Sequence, residues 1–129
     1  MRAERALASI PYARFLGVRL EETADGVTCV LPFRDDLVGN AALPALHGGV
    51  VGAFLELTAL IQLVAQVDDE RVPKPIGFSV DYLRSVGPRD TRGRAEIVKH
   101  GRRIANVRVL AWQDDPTKPV AAGTGNFLL

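Results

Sequence analysis

The sequence has one cysteine, Cys29, and two histidines, His47 and His100. One cysteine builds no disulfide framework, and neither histidine stands at the spacing of zinc ligands, so no metal is expected. Charge of one sign is not in excess either. The 16 basic and 15 acidic side chains leave a formal net charge of +1, which argues against the broad electropositive field of a nucleic-acid binder. The opening residues 1–15, MRAERALASIPYARF, lack the apolar centre of a signal peptide and the roughly 18 apolar residues of a membrane span. No serine lies in a G-x-S-x-G setting, so an α/β-hydrolase triad is not expected. Gly123-Thr124-Gly125 is followed by no helical pattern, which removes the dinucleotide-loop reading. These absences describe a soluble cytoplasmic protein that binds no nucleic acid or membrane. With 129 residues, 47% of them hydrophobic, residues 1–129 can form one domain with an ordinary core.

What is present reads as an α+β fold. Residues 3–10 suit a short helix that Pro11 interrupts, because proline lacks an amide and disfavours helix before it. Two runs of strand formers follow, around a turn at Ala24-Asp25-Gly26. A loop with Asp35, Asp36, Gly39, Asn40 and Pro44 leads to residues 48–67, which are proline-free and rich in leucine and alanine, as one long helix requires. Four strand-like stretches close the chain, at 76–86, 91–100, 102–113 and 119–129. Ala95, Ile97 and His100 alternate on one side, as do Val107, Val109 and Ala111, a pattern of an antiparallel sheet covered on one face. Only the long helix is available to cover it.

That helix holds an acid with no opposite charge near it in sequence. Helical spacing gathers Thr58, Gln62 and Gln66 into what would be its polar face. Glu56 is off that face, among Gly52, Ala53, Ala59 and Leu60. An unpaired charge there costs several kcal/mol or is neutralised. It therefore pairs with a distant arginine, lies at a wet subunit edge, or serves chemistry. At the helix start, His47-Gly48-Gly49 offers free backbone amides at the positive end of the dipole, which suit an oxyanion; a tight turn explains the two glycines equally well. Gly48 and Glu56 lie eight residues apart, about 12 Å along a helix, too far to act on one carbonyl. They are either unrelated or contributed to one site by two chains around a two-fold axis.

The ordered set LHGGVVGAFLE (residues 46–56), preceded by Asn40 and followed by GFSVDYLRS and KHGRRIA, resembles the hotdog-fold acyl-CoA thioesterases of the phenylacetate-degradation type. IPYARFLGVRL near the start is similar to the same family, so the resemblance spans nearly the whole chain. It implies a curved antiparallel sheet around a central helix, homodimers whose sheets join, homotetramers of two such dimers, and hydrolysis of an acyl-CoA with no cofactor beyond the CoA of the substrate. By the resemblance, the Gly48 amide polarises the thioester carbonyl and Asn40 assists there. Glu56 of the other subunit activates water or attacks directly, and Ser79 positions the water. The chain departs from the family at Leu60, where many members have Thr or Ser.

His47 is expected to orient the loop through a backbone hydrogen bond, and Gly49 beside it to contact the substrate. Phe54, Leu60 and Phe78 are candidates to line the acyl pocket. Arg84, Arg102 and Arg103, within a basic second half, are either a solvated face or the cradle of the CoA phosphates. A protein that binds acyl-CoA without cleaving it, as a sensor, is the alternative function.

Overall fold

The computed structural model describes residues 2–24, 26–67 and 71–129. Two short helices open the chain, α1 (Arg2–Ser9) and α2 (Pro11–Leu16). Pro11 ends the first, as its chemistry demands, and also starts the second, which the sequence reading did not include. A proline's fixed φ and missing amide suit the first position of a helix. Gly17, at φ 75°, then closes α2 by donating to the carbonyls of Ala13 and Arg14.

The remaining elements are β1 (Arg19–Thr23), β2 (Gly26–Leu31), a 3-10 turn (Asp35–Leu37), β3 (Val38–Asn40), β4 (Ala45–Leu46), α3 (Gly48–Gln66), β5 (Lys74–Tyr82), β6 (Thr91–His100), β7 (Ile104–Trp112) and β8 (Ala121–Leu128). Six strands form an antiparallel sheet in the order β1-β2-β6-β7-β8-β5. β1 and β2 pair from Arg19 opposite Val30 to Thr23 opposite Gly26; Asp25 of the predicted turn lies outside the described residues. One long helix on one face of an antiparallel sheet is the hotdog arrangement.

Alternation makes the core. Ala105, Val107, Val109 and Ala111 of β7 and Phe127 of β8 are buried against Phe54, Leu55, Ile61 and Leu63 of α3. The helix approaches closely at Gly93 of β6, where a Cβ would stand 2.9 Å from Thr58 Oγ1 and 3.0 Å from the Phe54 ring. α3 is long and apolar enough to cross a membrane, but 67% of that stretch is buried inside the protein, so its apolarity is used in the core.

One expectation about the helix needs correction. The stripe Thr58, Gln62, Gln66 is not a solvent face: Thr58 and Gln62 are buried and only Gln66 is exposed. Thr58 satisfies its hydroxyl on the Phe54 carbonyl one turn back, at 2.8 Å, so it needs no water. Burial pushes the nearby Cys29 thiol up to about 11, its hydrogen bond with Thr58 opposing the rise. His100 is exposed. A register shift between Ile97 and Lys99 sets His100 opposite the buried Ala105, on the same side as Ala95 and Ile97, and it is exposed there as the last residue of the strand.

The two sheet edges differ. β1 carries Arg19, Glu21 and Glu22; Glu21 bonds Arg19 at 3.1 Å and Arg92 at 3.2 Å, and Arg92 first, then Arg19, holds its carboxyl below the usual range. On β5 the charges are Lys74 and Asp81, with none from 75 to 80, and Ile76 and Tyr82 are exposed. An edge fringed with charge resists pairing, whereas a bare one invites it.

Candidate active site

The head of α3 is fastened from several sides. The β3–β4 ribbon pairs Val38 with Leu46 and Asn40 with Ala45. The His47 amide donates to Leu37 O at 2.9 Å, and the Leu46 amide to Val86 O at 2.9 Å. His47 caps the helix: its Nδ1 accepts from the Gly49 amide at 2.9 Å, which fixes Nδ1 as an unprotonated acceptor. The His47 carbonyl accepts from the amides of Val50 (3.0 Å) and Val51 (3.2 Å). The N–H of that same peptide unit belongs to Gly48 and has no acceptor among the described residues. Two hydrogen bonds at the carbonyl polarise this N–H further, and the positive end of the helix dipole adds to its pull on an oxyanion.

Glu56 lies two turns further on. It is half-buried and makes no hydrogen bond or ion pair among the described residues, so no described arginine neutralises it. Gly48, Gly52, Glu56 and Leu60 follow at intervals of four, and the first two of these positions face β5. Tyr82 lies against Gly48 and Gly52, and Val80 against Gly52. Phe78 packs with the cluster that contains Ala59 and Leu60, so Glu56 stands between the levels of Val80 and Phe78. The departure at Leu60 has a structural outcome. Leu60 is buried with Leu63, Ala105, Val107 and Phe127, and Thr58 is turned into the sheet, so neither supplies Glu56 with a hydroxyl.

The other expected residues divide. Asn40 is exposed; its Oδ1 accepts from the Ala42 amide at 3.1 Å, and its neighbour Gly39 lies directly against His47, which brings Asn40 to the helix head. Ser79 is not brought to Glu56 within the chain. Phe78 and Val80 point at α3, so strand alternation turns Ser79 to the outer face of the sheet, where it is exposed. Phe54 is wholly buried against Gly93 and belongs to the core, not to a pocket wall. Phe78 is half-buried, edge-on to Phe127 with ring centres 6.5 Å apart.

Arg84 is exposed, donates to Pro119 O at 2.6 Å, and borders an open cavity of about 400 Å³ lined also by Gly48, Val51 and Tyr82. Arg102 and Arg103 are exposed beside a second open cavity of about 650 Å³, with Lys99, Asn106 and Asn126. Sheet register sets these arginines towards opposite ends of the sheet: Tyr82 aligns with Ala121 and Ala111, and Lys74 with Leu128 and Ile104. No cluster of metal-ligating side chains occurs among the described residues.

Two residues went unnoticed in the sequence. Tyr82 donates its hydroxyl to the Gly48 carbonyl at 2.8 Å; alternation from Phe78 was the signal that could have found it. Gln113 is buried and joins the loop after β5 from inside. Its amide donates to the carbonyls of Gly87 (3.0 Å) and Arg89 (3.1 Å), and its carbonyl accepts from the Gly87 amide at 3.0 Å. That loop carries the Val86 carbonyl that holds Leu46. Nothing local in the sequence announces so distant a partnership.

A search of curated proteins finds no match. Among solved structures, a Chromobacterium violaceum protein is 38% identical, with 99% of this chain and 92% of that one covered and a TM-score of 0.79. A phenylacetic acid degradation-related protein from Ralstonia eutropha, 24% identical over 100% of both chains, shares the fold with a TM-score of 0.83. A Bacillus halodurans protein solved with CoA, 22% identical over 98% of this chain and 85% of that one, does so at 0.81. Residues 39–128 match the acyl-CoA thioesterase N-terminal domain family; from the loop that carries Asn40 to the last strand, the chain belongs to that family.

Proposed function

We propose that this protein hydrolyses an acyl-CoA thioester, with an aryl or medium-chain acyl group, in a site shared by two subunits. The observation that carries the reading is Glu56: a carboxylate half-buried on a core helix, with no partner among the described residues, on the face turned to an unpaired sheet edge. A β5–β5 pairing about a two-fold axis would bring Gly48 of one protomer towards Glu56 of the partner subunit. Two such dimers would make a tetramer. The same antiparallel pairing lays the far end of one protomer beside the Gly48 end of its mate, so Arg84 and the Arg102–Arg103 pair from opposite subunits come to one end, as the separated phosphates of CoA require. The CoA in the Bacillus halodurans relative supports that ligand.

In the general-base route the thioester oxygen accepts from the Gly48 amide and Glu56 removes a proton from water. The hydroxide adds to the carbonyl carbon, the C–S bond breaks, and the departing CoA thiolate takes up the proton to leave free acid and CoA thiol. In the nucleophilic route Glu56 adds to the carbonyl carbon, expels the thiolate and forms an anhydride that water cleaves. Neither route asks for a cofactor. Single turnover in oxygen-18 water separates them, because only the anhydride route deposits label in Glu56.

The test is thiol release from a panel of aryl and fatty acyl-CoAs. Glu56→Gln is expected to lose at least about a hundredfold in turnover; near-normal hydrolysis by that variant removes Glu56 from the mechanism. The buried Leu60, which leaves Glu56 without a neighbouring hydroxyl, favours the second reading, a non-catalytic acyl-CoA sensor. Binding without thiol release would establish it.

A further inference from the structure

Gly52 occupies the second turn of α3, where glycine weakens a helix relative to alanine. Its own chain does not ask for it. The positive-φ glycines among the described residues are Gly17 and Gly26. A Cβ at Gly52 would meet only the Tyr82 hydroxyl at 3.4 Å and Val80 Cγ2 at 3.6 Å, which is ordinary contact. The position of that absent methyl is otherwise open, beside Glu56 and one turn from the Gly48 amide. Tyr82 bounds the opening. It is 58% exposed, yet strand β5 holds its backbone and its hydroxyl is bonded to the Gly48 carbonyl, so the ring is a fixed wall of the 400 Å³ cavity at the helix head.

We propose that Tyr82 is a specificity-determining residue. Its ring, with Val80, limits how wide the acyl group can be at the carbons next to the thioester, and Gly52 supplies the width that remains. The inference rests on the hydrolase reading and extends it. With the carbonyl oxygen on the Gly48 amide, the first acyl carbons pass alongside Gly52 at the edge of the phenol ring. A narrow chain fits there with or without a methyl on residue 52; a ring or branch joined directly to the carbonyl needs that space.

The experiment compares benzoyl-CoA with hexanoyl-CoA for the wild type, Gly52→Ala and Tyr82→Ala, and records melting temperatures. Gly52→Ala is expected to lower the ratio of benzoyl to hexanoyl kcat/KM about tenfold or more, the value of one methylene in a fitted pocket, without lowering the melting temperature. Tyr82→Ala is expected to raise that ratio. An unchanged ratio in both variants overturns the proposal, as does a melting temperature that falls in Gly52→Ala, because the glycine would then be required by packing. Should the wild type bind without releasing thiol, the hydrolase reading fails, and the same ratio taken from dissociation constants still decides the role of Tyr82.

Discussion

The shared site can be tested by complementation between two inactive variants. Gly48→Pro removes the one N–H at issue with little other disturbance. Gly48 is the first residue of α3, where proline is well accommodated, and His47 before it has φ −61° and ψ 134°, the extended conformation a following proline favours. A Cβ at 48 meets Tyr82 at 3.5 Å, again ordinary contact. Loss of an oxyanion donor costs about 10²–10³ in turnover, and Glu56→Gln at least about 10², so each variant alone is nearly silent. When the two are unfolded together in equal amounts and refolded, about half the dimers are mixed, and in each of these one of two sites joins an intact amide to an intact acid. The expected activity is about a quarter of wild type, well above either parent. The amide and acid of one chain lie about 12 Å apart; if they nevertheless served the same substrate, every mixed site would carry a defect. Activity no higher than the parents', in mixed dimers confirmed by mass, would refute the shared site.

Gln113→Leu deprives Gly87 and Arg89 of their buried partners; the expected loss is about 1–3 kcal/mol, with faster amide exchange in residues 85–90 than in β7, and unaltered exchange there would show that the loop holds itself. The Cys29 thiol, raised to about 11, should resist alkylation in the native protein at pH 8 and react once it unfolds. Its folded value lies above the ordinary 9.0, so the associated stability is complete below 9.0 and is lost as the pH climbs towards 11. Urea melts across that window check the sign, and a melt that does not weaken with rising pH would contradict it.

The long helix was legible because nineteen residues without proline or glycine beyond the second turn leave no other element of that length. The valines of β7 announced their face by strict alternation. What the sequence did not reveal has physical causes. Thr58 and Gln62 read as a wet face because a threonine that bonds its own backbone looks, in one dimension, like one that meets water. His100, three residues after Ile97, shares its side only through a bulge, and a bulge leaves no mark in composition. Glu56 was conspicuous as a charge out of place, but its openness towards β5 depended on strand order, and β5, next in sequence after the helix, ends up at the far edge beside the last strand.

That β5 is bare while β1 is fringed with ionised groups carries a consequence for assembly beyond catalysis. A sheet with two adhesive margins can add copies without limit, and grows into fibres. One with a single adhesive margin is used up by its first union, since the joined object presents only the repelling side at each extremity. In the proposed dimer the carboxylates of Glu21 and Glu22, far from any chemistry, would act as terminators that keep the product finite.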